Sequence, residues 1–181
     1  MQTLVLTLTL FRIIAAPFVF IFVVFLGYYW LAFWLFNLAA LTDFFDGKLA
    51  RDFHVESRLG TILDPIGDKL LVLFTIISVL VLAQDNYVAI MSALLLAREF
   101  WVSALREFSS ANNISQSTAV SFVAKTKTTF QFITLSLYLL GAALNLALVI
   151  FIANFTLFIS VLLAYKSGID YTLNTLKKLE A

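Results

Sequence analysis

Six apolar runs of 16 to 23 residues follow one another through the chain, and their length constrains the fold more than any other feature. They cover Leu8 to Leu26, Trp30 to Phe45, Thr61 to Ala83, Tyr87 to Leu105, Thr118 to Leu140 and Leu144 to Tyr165. A helix of about 20 apolar residues crosses the hydrocarbon of a bilayer. Lipid offers no water to backbone N–H and C=O groups, so each run is expected to be helical. Six such spans use about 120 residues of the 181 present, too many to leave room for a separate soluble domain. The apolar share of 62% stands well above the ~45–50% of soluble domains. The expected fold is all-α: a polytopic membrane protein with six transmembrane helices, one domain over residues 1–181, and a cytoplasmic tail at 166–181.

The cations orient the spans. The breaks after the first, third and fifth runs hold no Lys or Arg. Lys48, Arg51 and Arg58 follow the second run, Arg106 the fourth, and Lys166, Lys177 and Lys178 the sixth. The positive-inside rule then places both termini and the charged loops in the cytoplasm. A cleaved leader is not expected, because Met1, Gln2 and Thr3 carry no basic side chain and Arg12 interrupts the first run. The tail is expected either to stay mobile or to form a short interfacial helix with Leu173, Leu176 and Leu179 on one side. A net charge of +1 gives no basic excess to hold a nucleic acid, and the lack of cysteine excludes disulfides and thiolate chemistry.

Carboxylates inside an apolar chain need a reason, because each costs at least ~2.5 kcal/mol at a helix centre unless paired or hydrated. Asp43 and Asp46 end the second run, and Asp64 and Asp68 open the third. Spacings of three and four put each pair on one helical face. The fourteen residues between Asp46 and Thr61 let all four meet at the cytoplasmic boundary. An isolated carboxylate at a helix end is usually a cap or a solvated charge. Four together titrate as a coupled set and demand positive charge, part of which Lys69 and Arg51 could supply. An all-oxygen donor set suits Mg²⁺ or Mn²⁺, and four carboxylates balance two divalent ions, an arrangement that serves phosphate chemistry. Gly47, Ala50 and Gly60 are small residues past which a ligand can approach the backbone.

These residues spell D-x2-D-G-x2-A-R-x8-G-x3-D-x3-D from Asp43 to Asp68. The pattern resembles the signature of the CDP-alcohol phosphatidyltransferase family with no position missing. Six membrane helices and the chain length are similar to that family too. The resemblance implies a divalent-metal-dependent phosphotransferase, working in the bacterial inner membrane from its cytoplasmic face and assembled as a homodimer. It implies that Asp43, Asp46 and Asp64 hold metal, that Asp68 is both ligand and general base, that Gly47, Ala50 and Gly60 lie against the CDP-linked lipid, and that Arg51 orders the site. Two ions would neutralise the pyrophosphate while a carboxylate draws the proton from an attacking hydroxyl.

The acceptor alcohol must be read from other residues. Arg98 and Glu99 sit within the fourth run, Arg106 two turns later, and Lys125 and Lys127 in the cytoplasmic half of the fifth. Glu99 and Glu107 can pair with some of these cations, leaving net positive charge suited to a phosphate monoester. Snorkelling to headgroups accounts for Lys127 or Lys166 equally well, and for Arg98 least. The segments LTLFR, DPIGDK, AREFWVSALREF and KTKTT resemble the family branch in which sn-glycerol 3-phosphate attacks CDP-diacylglycerol, giving phosphatidylglycerol phosphate and CMP. In that branch Arg98, Arg106, Lys125 and Lys127 would surround the acceptor phosphate, with Arg12 near the same entrance. Leu6 stands where members often carry Asn, so a nucleotide contact there is lost or replaced, and Gly67 stands where Ala is common.

Two other functions are compatible with the residues. A CDP-dependent cardiolipin synthase would use phosphatidylglycerol as acceptor. A divalent-cation transporter would use the aspartates as a path, but they gather at one side of the membrane and leave no midplane site. His54 reads as a solvated loop residue, and Trp30, Trp34 and Trp101 as packing or interface anchors.

Overall fold

A computed structural model describes residues 2–53, 58–112 and 122–179, with side chains described at 6–42, 60, 62–112 and 126–179. Among the described residues the chain forms six α-helices and no strand: α1 (Gln2–Val24), α2 (Tyr29–Phe53), α3 (Arg58–Ala83), α4 (Asn86–Ala111), α5 (Phe122–Leu144) and α6 (Ala147–Leu179). Among the described residues four stretches are long and apolar enough to cross a membrane, namely Leu6–Val24, Ile62–Ala83, Asn86–Ala111 and Ala147–Leu179. The apolar part of α2, Tyr29–Thr42, is shorter. Large apolar side chains such as Phe25, Trp34, Phe100, Leu148 and Phe151 lie exposed. Contiguous apolar surface of that kind is stable against lipid and not against water, so the protein is a multi-pass membrane protein.

The cation-free breaks are tight turns, each with one residue at positive φ: Gly27 (66°), Gln84 (45°) and Asn145 (52°). At the last of these, the Leu146 N–H donates to the Gly141 carbonyl at 3.1 Å and the Asn145 N–H to the Ala142 carbonyl at 3.4 Å. That pair of bonds closes a helix end in the Schellman manner, with Asn tolerating the left-handed position. On the far side of the second turn, Asp85 caps α4 by accepting from the Tyr87 N–H at 2.6 Å.

Helices run past the apolar runs that announce them. The second run stops at Phe45, yet α2 continues to Phe53, and α3 begins at Arg58. The expected fourteen-residue connection is therefore mostly helix. Lys48, Leu49, Ala50 and Arg51 are good helix formers, and hydropathy marks the end of the lipid rather than the end of the helix. The tail behaves the same way: α6 runs unbroken for 33 residues to Leu179, replacing both the separate interfacial helix and the mobile segment. Its Leu173, Leu176 and Leu179 remain exposed.

The chain divides into two compact units, residues 1–84 with 135–151 and residues 85–134 with 152–181. In the first, α1 packs along both α2 and α3. Ala15, Ala16, Val19 and Val23 of α1 are buried, as are Ala32, Phe36 and Ala39 of α2 and Leu71, Ile76 and Val79 of α3. Small residues on these stripes let helix backbones approach, which is what drives association where lipid is as apolar as the side chains. Ser136 donates to Asn37 Oδ1 at 3.0 Å, a polar link between α5 and α2.

In the second unit α4 and α6 run parallel. Tyr87 Oη donates to the Asn154 carbonyl at 3.0 Å, Arg98 Nε to the Ala164 carbonyl at 2.9 Å, and the Arg106 guanidinium lies 5.8 Å from the Tyr171 ring centre. Contacts that advance together along both helices fix direction and register. The buried stripes follow the helical period: Val88, Ser92, Leu95, Arg98 and Val102 on α4 and Ala153, Leu157, Ser160, Ala164 and Ser167 on α6.

Candidate active site

Among the described residues each unit carries a charged cluster on its candidate membrane spans. In the first, Thr9 and Arg12 lie one turn apart on α1 and are fully buried. They face Asp64 and Asp68, one turn apart on α3. Arg12 Nη2 reaches Asp64 Oδ1 at 3.3 Å, Arg12 Nη1 donates to Asp68 Oδ1, and Thr9 Oγ1 donates to Asp64 Oδ1. One guanidinium thus spans both carboxylates, as its planar fork allows and a lysine ammonium would not. Gly67 sits between the aspartates on the face toward α1, where an added Cβ would lie 3.5 Å from Ile13 and 3.6 Å from Arg12.

The resemblance puts Arg12 near the cytoplasmic entrance used by the acceptor, and in the structure its guanidinium lies on Asp64 and Asp68. The sequence also offers Lys69 and Arg51 as compensating charge. Lys69 is exposed, the Arg51 side chain falls outside the described residues, and among the described residues Arg12 reaches both Asp64 and Asp68. Two carboxylates against one guanidinium leave this trio a formal charge of −1. Each aspartate side chain is 39% exposed, so a further cation can reach it. Asp43, Asp46, Gly47, Ala50 and Arg51 lie on the last three turns of α2, with the aspartates three residues apart on one face. Their side chains fall outside the described residues, as does His54. Gly60 is buried in the first turn of α3.

The second cluster joins three helices. Glu99 Oε1 accepts from Lys127 Nζ on α5 and from Arg98 Nη1 at 3.4 Å. Arg98 also donates from Nε to the Ala164 carbonyl and from Nη2 to Ser167 Oγ, both on α6. Arg98 and Lys127 are each only 5% exposed. Snorkelling is therefore excluded for Lys127, and the residue hardest to explain that way, Arg98, is indeed held inside. Arg106 is exposed and lies over the Tyr171 ring, within the range of a cation–π contact. The structure so brings together Arg98, Lys127 and Glu99, with Arg106 two turns further along α4. The Lys125 side chain falls outside the described residues.

Three participants were not singled out from sequence as parts of a cluster: Thr9, Ser167 and the carbonyl of Ala164. Thr9 had a signal, since it stands three residues before Arg12 and shares its face. Ser167 had none, being one serine among many.

The family model for CDP-alcohol phosphatidyltransferases matches residues 3–165. A protein of Escherichia coli (strain K12) named CDP-diacylglycerol--glycerol-3-phosphate 3-phosphatidyltransferase is 41% identical over 132 residues, covering 71% of this chain and 72% of its own. Proteins of the same name from Salmonella typhimurium and Shigella flexneri are 40% and 41% identical over the same length.

Proposed function

The chain belongs to the CDP-alcohol phosphatidyltransferase family, and from that premise we propose that it transfers the phosphatidyl group of CDP-diacylglycerol to sn-glycerol 3-phosphate, giving phosphatidylglycerol phosphate and CMP. The relatives' name supports both substrates. The observation that carries the acceptor is the buried pair of cations, Arg98 and Lys127, sharing the single carboxylate of Glu99. That trio bears a net charge of +1, and Arg106 adds another. A phosphate monoester carries about −1.5 to −2 at neutral pH, whereas the phosphodiester of phosphatidylglycerol carries one charge. The balance favours the monoester.

Asp43, Asp46, Asp64 and Asp68 would hold Mg²⁺ or Mn²⁺, two ions by charge count, and their all-oxygen donor set fits a hard cation. When bound, such ions neutralise a pyrophosphate and ease departure of CMP. Gly47, Ala50 and Gly60 leave room for the CDP moiety, and Arg51 lies on the same α2 end. Asp68 takes the proton from the acceptor hydroxyl as its oxygen bonds to the β-phosphorus, and the bond from that phosphorus to the bridging oxygen breaks to release CMP. Arg12 and Thr9 keep Asp68 and Asp64 aimed at that point. Arg98, Lys127, Arg106 and Lys125 hold the acceptor phosphate, so that its hydroxyl presents one geometry.

The same reading puts the protein in the bacterial inner membrane as a homodimer, and the absence of Lys and Arg from the three tight turns supports placing the site toward the cytoplasm. The deciding experiment is CMP release by purified protein in detergent with CDP-diacylglycerol and Mn²⁺. Release that depends on glycerol 3-phosphate is expected. Release that depends instead on phosphatidylglycerol makes the protein a cardiolipin synthase and overturns the acceptor assignment.

A further inference from the structure

Arg98 has five N–H donors in a planar fork, and the structure accounts for three of them. Nε donates to the Ala164 carbonyl at 2.9 Å and Nη2 to Ser167 Oγ, so the side edge of the guanidinium, where those two N–H bonds run parallel, lies on α6. Nη1 reaches Glu99 Oε1 at 3.4 Å. The other two N–H groups meet no partner among the described residues, although Arg98 is only 5% exposed. A buried guanidinium with one edge docked on α6 and further N–H donors at the other is set for an anion, because a buried N–H group is stabilised by a charged acceptor.

The α6 surface is shaped for this docking. Ala164 and Ser167 are three residues apart and share a face. A carbonyl oxygen has two lone pairs, so Ala164 can stay in the helix ladder and still accept from Arg98. At Gly168 an added Cβ would lie 3.6 Å from Arg98 Cγ and 3.5 Å from Trp101 and Val102, so glycine leaves the arginine stem a seat against the α6 backbone. We infer that α6 is a wall of the acceptor site and that Ser167 is its positioning residue: with the Ala164 carbonyl it docks the side edge of Arg98 and thereby aims the remaining donors at the acceptor phosphate. The inference rests on Arg98 binding that phosphate, as proposed above.

Ser167→Ala removes one of the two anchors while leaving the charge in place. The expected result is a rise of roughly tenfold in KM for glycerol 3-phosphate, in keeping with a hydrogen bond to a charged group. The kcat and the KM for CDP-diacylglycerol should stay within about twofold of wild type, the reach of ~0.4 kcal/mol. Inorganic phosphate, used as a competitor of glycerol 3-phosphate, should lose inhibition by the same factor, and Ser167→Thr should restore both values. A merely structural serine would lower kcat and disturb both substrates alike, and that outcome overturns the proposal. So does an unchanged acceptor KM in Ser167→Ala when Arg98→Ala raises it. If Arg98→Ala also leaves the acceptor KM unchanged, the acceptor-site reading itself fails.

Discussion

Glu99 on α4 and Lys127 on α5, 28 residues apart in sequence, form an ion pair inside the membrane-spanning part of the protein. The same carboxylate oxygen also faces Arg98, so one acid serves two buried cations. Removing the acid should hurt more than removing both ends of the pair. Glu99→Gln leaves Lys127 buried and unneutralised, at a cost of about 3 kcal/mol. The double variant Glu99→Gln with Lys127→Met should regain most of that stability in a thermal melt in detergent. It should not regain affinity for glycerol 3-phosphate.

Arg12→Gln should destabilise the protein by about 3 kcal/mol, since it leaves two neighbouring carboxylates without their common cation. Arg12→Lys should rescue poorly, because a single ammonium lacks the fork that spans both acids. If divalent ions bind these carboxylates, Mn²⁺ should raise the melting temperature of Arg12→Gln more than that of wild type. Equal shifts would separate Asp64 and Asp68 from metal binding.

Asp68→Asn should give a folded, metal-binding protein with almost no turnover, while Asp43→Asn should mainly weaken metal and donor binding. The pair is resolved by comparing kcat with the Mn²⁺ and CDP-diacylglycerol dependence of each variant. Normal turnover by Asp68→Asn would remove the general-base assignment.

Two glycines should respond in opposite ways to alanine. At Gly141 a Cβ would meet the Ile150 side chain at 2.4 Å and the Ile150 backbone nitrogen at 3.3 Å, so the turn into α6 must shift. A loss of about 1–3 kcal/mol is expected there. At Gly67 the nearest atoms are at 3.5 Å, ordinary contact, and Gly67→Ala should melt at or slightly above wild type.

Apolar run length was enough to announce all six helices, because lipid leaves the backbone no alternative to helix. The cation-free breaks became the three tight turns, since a chain that returns at once has no need of solvated residues. Helix ends were poorly legible: α2, α4 and α6 each continue beyond the apolar run into residues that hydropathy reads as tail or loop. The acidic motif was legible from spacing, and its Asp64 and Asp68 do share a face. Their partner Arg12 was visible as a residue but not as a partner, because a contact across 52 or 56 positions depends on how α1 packs against α3. Ser167 was silent for the same reason, 69 positions from the arginine it holds.

The unbroken α6 has a mechanical implication. A 33-residue helix measures about 50 Å, roughly 20 Å more than the hydrocarbon it crosses. Ala164 and Ser167 sit partway along this rod, so a torque applied at Leu179 is transmitted along the helix to the seat of Arg98. A bulky tag fused rigidly after Leu179 would act as a lever arm on the substrate pocket. A long flexible spacer would uncouple it.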